Sequence, residues 1–128
     1  MRTRRTFAVI GLGLMLLFPA TGTAQRAMVH GFGAKTCGAF VVARNEKKAY
    51  EESMFLSWLA GYVSGTNRAI AGASERDADI ATGVDMDAMR VWVDKYCRDK
   101  PLDLFSTAVV NLVIELMQRE SVRRRGGQ

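Results

Sequence analysis

The sequence predicts a small all-α fold: an orthogonal-type bundle of four helices, one short and three longer, stapled by one disulfide and without a sheet. Three observations predict it. Apolar residues recur at three- and four-residue spacing through three separate segments, the period of a helix that buries one face. No segment sustains the two-residue alternation of a half-buried strand. The chain holds only two cysteines, Cys37 and Cys97, behind a leader of secretory type. One intramolecular pairing therefore exists, and an oxidising compartment favours it.

The leader is residues 1–24. Arg2, Arg4 and Arg5 form a basic start, Phe7 to Phe18 is uncharged and mostly apolar, and Gly22-Thr23-Ala24 offers small residues to a signal peptidase. That apolar run is too short for a bilayer core, which needs about 20 residues. Thr3-Arg4-Arg5-Thr6-Phe7 also resembles a twin-arginine signal, but the strongly apolar run suits ordinary secretion better. The expectation is a periplasmic protein cleaved near Ala24, with no stable membrane span in its mature form.

Residues 25–128 are one domain by length. Segment 25–35 holds two glycines and no period, and reads as a flexible lead-in in which His30, the only histidine, is exposed. Thr36 caps a short helix from Cys37 to about Arg44, with Phe40 and Val41 turned inward. After a turn at Asn45, a long helix runs from Glu46 to about residue 70. Tyr50, Met54, Phe55, Trp58, Leu59, Tyr62 and Val63 form its stripe. Gly61 lies beside that stripe, and glycine costs up to about 1 kcal/mol inside a helix; a close packing neighbour would account for it. Gly65 either packs likewise or ends the helix. Residues 72–84 read as a polar linker.

Asp85 caps a third helix, from about Met86 to Arg98, whose buried face is Met89, Trp92, Val93, Tyr96 and Cys97. Pro101 opens a fourth helix, where its missing N–H costs nothing. Leu102, Phe105, Val109, Leu112, Val113, Leu116 and Met117 carry its stripe to about Val122. The helical domain is thus 36–122, and 123–128 is a basic disordered tail. The expected core is Phe55, Trp58, Tyr62, Trp92, Tyr96, Phe105, Val109 and Leu112, with the bridge pinning the first helix to the end of the third.

The formal charge of +5 belongs to the two ends. Without Arg2, Arg4 and Arg5 it falls to +2, and without Arg123, Arg124 and Arg125 as well it is −1. No basic face for nucleic acid is visible. The C-terminal arginines read as a solvated end, with anionic lipid or an acidic partner as the alternative. His30 and two cysteines fall short of four zinc ligands. Asp77, Asp79, Asp85 and Asp87 lack the EF-hand spacing. Ser57, Ser64 and Ser106 have no base to activate them, and Glu115 reads as a solvated flank. The expectation is a protein with no catalytic residues, no metal and no cofactor.

Three stretches carry a resemblance: Thr36-Cys37-Gly38-Ala39-Phe40, then Trp58-Leu59-Ala60-Gly61-Tyr62-Val63-Ser64-Gly65, then Trp92-Val93-Asp94-Lys95-Tyr96-Cys97 with Pro101 leading toward Leu116. Together they resemble the HdeA-like group of small periplasmic helical proteins, and also the immunity proteins of type VI secretion. The resemblance covers about residues 36–117, and its most specific part is the Tyr-Cys-x-x-x-Pro junction. It implies an exported, all-helical, disulfide-stapled protein. For the HdeA-like group it also implies an acid-stress chaperone that opens at low pH and holds unfolded proteins. The cysteines stand farther apart here, by the length of the 72–84 stretch. The functional expectation is a non-enzymatic module that binds a protein client or target in the cell envelope. The alternatives are an immunity-type inhibitor of a secreted toxin, or an accessory subunit that docks through Met28, Phe32 and Val42. A homodimer is also compatible.

Overall fold

The computed structural model describes residues 28–127. The expected leader, residues 1–24, and its expected cleavage site lie outside them. Four α-helices follow a single 3₁₀ turn at Gly31–Ala34: α1 (Cys37–Asn45), α2 (Ala49–Ser74), α3 (Met86–Asp99) and α4 (Phe105–Gly126). Among the described residues there is no sheet; one antiparallel bridge joins Thr36 to Leu104. The fold is the all-α bundle that the sequence predicts. Among the described residues no helix is long and apolar enough to cross a membrane.

The first three helices carry local start or stop signals. Thr36 Oγ1 accepts from the Ala39 N–H and caps α1. Lys47 then takes a left-handed φ of 54°, so α2 begins at Ala49 rather than at Glu46. Glu51 and Glu52 in its first turn complement the helix dipole. The helix does not stop near residue 70 or at Gly65; it runs to Ser74, where Glu75 adopts the left-handed conformation of a C-terminal stop. Asp85 Oδ1 caps α3 by accepting from Ala88 N at 2.7 Å, as expected.

Pro101 does not open α4. It sits exposed in the α3–α4 turn, and its carbonyl accepts the Gly38 N–H at 2.8 Å. Cys37 N donates to Asp103 O and Phe105 N to Lys35 O, both at 2.8 Å. The strand-like passage before α1 thus satisfies the backbone at the start of α4, which has no side-chain cap of its own. Leu102 consequently leaves the helix and is 91% exposed instead of buried.

The core is built on three phenylalanines from three helices. Phe40 (α1), Phe55 (α2) and Phe105 (α4) are fully buried, with ring centroids 4.8–5.4 Å apart. Phe32 adds an edge-on contact to Phe55 at 4.9 Å, so the expected lead-in is instead a packed turn. Leu59, Val93, Ala108, Val109 and Leu112 complete the centre. The Cys37–Cys97 disulfide is present, both residues are buried, and it ties the start of α1 to the last turn of α3.

Around this centre the large aromatics sit farther out than expected. Trp58, Trp92 and Tyr96 are only partly buried, Tyr62 is 38% exposed and Tyr50 lies in solvent. A tryptophan or tyrosine has a polar group to satisfy, and these do so at the edge of the bundle. The 72–84 stretch is also more than a spacer. Ile80 is buried, its N–H donating to Asn67 Oδ1 at 3.0 Å. Gly61 is another correction: a Cβ placed there would meet nothing within 4 Å, so no neighbour demands glycine.

An ion-pair network braces α1, α2 and α3. Arg44 of α1 reaches Glu52 of α2 at 3.3 Å and Asp94 of α3 at 3.2 Å. Arg90 reaches the same Glu52 at 3.6 Å, and Arg98 holds Asp94 at 2.9 Å.

The C-terminal arginines are helical, not a disordered tail: α4 continues to Gly126. Glu120, almost fully buried, accepts from Arg123 Nε at 2.7 Å and Nη2 at 2.8 Å, and from Arg124 Nε at 2.6 Å. These charge-assisted bonds hold its carboxyl well below the usual range, at about 2.

Three outcomes are expected. Replacing Cys97 by Ser removes a cross-link over a separation of 60 residues and should lower unfolding free energy by about 4 kcal/mol in urea titrations. Gly61→Ala should raise stability by roughly 0.4–1 kcal/mol, because the helix gains propensity and nothing clashes. The Glu120 contribution is present above the carboxylate's unfolded value and is lost as pH falls through about 2. The stability gap between wild type and Glu120→Gln should therefore be widest near neutrality and close between about pH 4.5 and pH 2.

Candidate functional site

An apolar depression lies where the segment leading into the 3₁₀ turn meets α2 and α4. Its centre is Trp58. The indole Nε1 donates to the His30 carbonyl at 3.1 Å, which fixes the ring against the incoming chain. The ring lies across Gly33, where a Cβ would stand 2.2 Å from Trp58 Cζ2. Gly31 next to it takes a φ of +67°. Only glycine meets both demands, so the Gly-Phe-Gly sequence of the turn is a seat for Trp58.

Tyr62 stacks on Trp58 one turn later, with centroids 5.4 Å apart and planes 26° apart. Val110 of α4 closes the other side, giving a groove of about 460 Å³ that also touches Met28, Ser106 and Thr107. Val110, Ile114 and Met117 follow at i, i+4 and i+7, so they share one face of α4. Each is 37–48% exposed. The apolar groove thus runs on into an exposed apolar stripe. It offers broad contact to aliphatic and aromatic side chains and few hydrogen-bonding groups.

A second aromatic pair lies between α3 and α4. Trp92 and Tyr96 stack with centroids 5.8 Å apart. Trp92 Nε1 donates to Glu115 at 2.7 Å. The Tyr96 hydroxyl donates to Asp103 at 2.8 Å, and this bond to a carboxylate raises the phenol above its ordinary pKa. The first pair is anchored at the bundle's edge by one polar atom and the second by two.

The structure separates the sequence-predicted residues into three groups. Phe55, Phe105 and Leu112 are in the core with the Cys37–Cys97 bond; Trp58, Tyr62, Trp92 and Tyr96 form the two edge pairs; Gly61 and Pro101 take part in neither. Of the three expected docking residues, Met28 and Val42 are exposed, while Phe32 is packed on Phe55. Ser57 and Ser64 are exposed on α2 and Ser106 is buried. Among the described residues no group of three or more His, Cys, Asp or Glu could hold a metal ion. The sequence reading missed the α4 stripe, because Val110 and Ile114 lie outside the buried period. Their i, i+4 spacing next to Met117 was the available signal. No protein-family model, curated protein or solved structure matches this chain.

Replacing Gly33 by Ala should force Trp58 out of its seat. The expected cost is about 1–3 kcal/mol, with a shift of tryptophan fluorescence toward longer wavelength. Gly61→Ala on the same helix serves as the control that leaves the spectrum unchanged.

Proposed function

We propose that this chain is an exported, non-enzymatic protein-binding module of HdeA-like type. It captures apolar segments of unfolded proteins in the cell envelope under acid stress. The observation that carries this reading is the continuous apolar surface from Trp58 and Tyr62 to Val110, Ile114 and Met117, presented by a bundle that a disulfide holds together. Such a surface recognises apolar side chains rather than a sequence, since it offers little hydrogen-bonding specificity.

The charge distribution supports an acid response. Glu52 and Asp94 stand between Arg44, Arg90 and Arg98. Protonating them removes the attraction and leaves three guanidinium groups facing one another. Across residues 25–128 full carboxylate protonation takes the net charge from +2 to about +15, and self-repulsion then favours opening. The disulfide keeps α1 on α3 throughout, so α2 is the element this reading releases.

The test follows near- and far-ultraviolet circular dichroism from pH 7 to pH 2 while an aggregation-prone client is present. The expected outcome is loss of tertiary signal, retention of helix and suppression of client aggregation in acid. Tyr62→Asp and Ile114→Asp should weaken that protection without lowering neutral stability. A protein that stays folded at pH 2 and protects nothing rejects the acid-chaperone reading. A rigid, immunity-type inhibitor would then be the better account.

A further inference from the structure

The connection between α2 and α3 and the last turns of α4 enclose a second depression, of about 530 Å³. Its apolar lining is Ile80, Val84 and Val122, and its charged lining is Arg119, Glu120 and Arg123. The size is ordinary for a small-molecule site. From this juxtaposition we infer that the cleft binds an anionic amphiphile, a single aliphatic chain ending in a carboxylate or phosphate.

The argument rests on which charges are already satisfied. Two carboxylates lie close by, and both are engaged. Glu120 spends its two oxygens on three donors from Arg123 and Arg124. Asp79 accepts from Ala81 N at 3.0 Å and from the Thr82 hydroxyl at 3.3 Å, shaping the turn that carries Ile80. The guanidinium groups are in excess. Arg119 has no ion-pair partner among the described residues, and Arg123 gives Nε and Nη2 to Glu120, which leaves its Nη1 for a ligand. A buried carboxylate fixing an arginine at the lip of an apolar cleft orients that cation before a ligand arrives.

Those features select the ligand class. A neutral hydrocarbon would fill the walls and leave the arginines unanswered. A cationic amphiphile would place like charge beside Arg119 and Arg123. A peptide backbone would bring N–H donors, and only the Thr82 hydroxyl and the Gln118 amide line the cleft as uncharged acceptors. An anionic head on an aliphatic chain satisfies both halves. The site is separate from the Trp58 groove and does not depend on the chaperone reading.

The experiment is calorimetric titration of the disulfide-intact protein at neutral pH, with each amphiphile below its micelle concentration. The probes are dodecanoate, dodecyl phosphate, dodecanol, dodecyltrimethylammonium and inorganic phosphate. One or both anionic amphiphiles should bind one-to-one, and which of the two binds more tightly identifies the head group. Dodecanol, the cation and inorganic phosphate should bind at least about tenfold more weakly. Arg119→Gln, Arg119→Glu and Val122→Glu change exposed side chains and should each weaken the anionic amphiphile by about tenfold or more with an unchanged far-ultraviolet spectrum. Tyr62→Ser, in the other groove, should leave binding unaltered. No anionic binding, equal binding of dodecyltrimethylammonium, or full binding by the Arg119 and Val122 variants would overturn the assignment.

Discussion

Cys37 and Cys97 are both fully buried, and the bond between them fixes where α1 can lie. A helix of nine residues cannot hold itself together in water. Tethered to the end of α3, α1 presents Phe40 to Phe55 and Phe105, and the three rings close the centre of the bundle. The same tether brings Gly38 to the Pro101 carbonyl and Lys35 to Phe105, so the approach to α1 also caps α4. Four helices depend on one covalent constraint because the smallest of them sits at the middle of the packing.

With phenylalanine in the centre, the aromatics that carry polar atoms are left for the rim. Trp58 reaches the His30 carbonyl, Trp92 reaches Glu115 and Tyr96 reaches Asp103. Each keeps a face against the core and an edge toward solvent. This arrangement creates surfaces that are apolar yet well ordered, because a hydrogen bond sets the orientation of each ring. Such a surface loses little side-chain freedom on contact with another molecule.

Charge is distributed on the same plan. Glu52 and Asp94 gather arginines from neighbouring helices, and Glu120 gathers them from its own. The first arrangement braces one helix against another. The second organises the end of α4 and leaves Arg119 over. A segment that composition reads as loose and basic is in fact a helix whose arginines have assigned positions.

Local information in the sequence was enough for the helices, the caps at Thr36 and Asp85, the absence of a sheet and the pairing of the two cysteines. Those depend on periodicity, on side-chain oxygens one turn from an N–H, and on a count of two. The core was legible only where burial leaves no polar atom to satisfy, as at Phe55, Phe105 and Leu112. Trp58 and Tyr62 fell on the same stripe, and no pattern of apolar spacing distinguishes a ring in the core from one at its edge. What separated them was the position of the His30 carbonyl and the open ground beside α2, which exist only after the chain has folded. The start of α4 was decided in the same way. Pro101 is occupied by a backbone hydrogen bond from α1, whereas Glu120 pairs with Arg123 and Arg124 at three- and four-residue spacing on one helix, a pattern already present in the sequence. Periodic burial and pairs one helical turn apart are written along the chain, whereas the partners of Trp58, Trp92 and Pro101 come from segments distant in sequence, and tertiary structure alone brings them together.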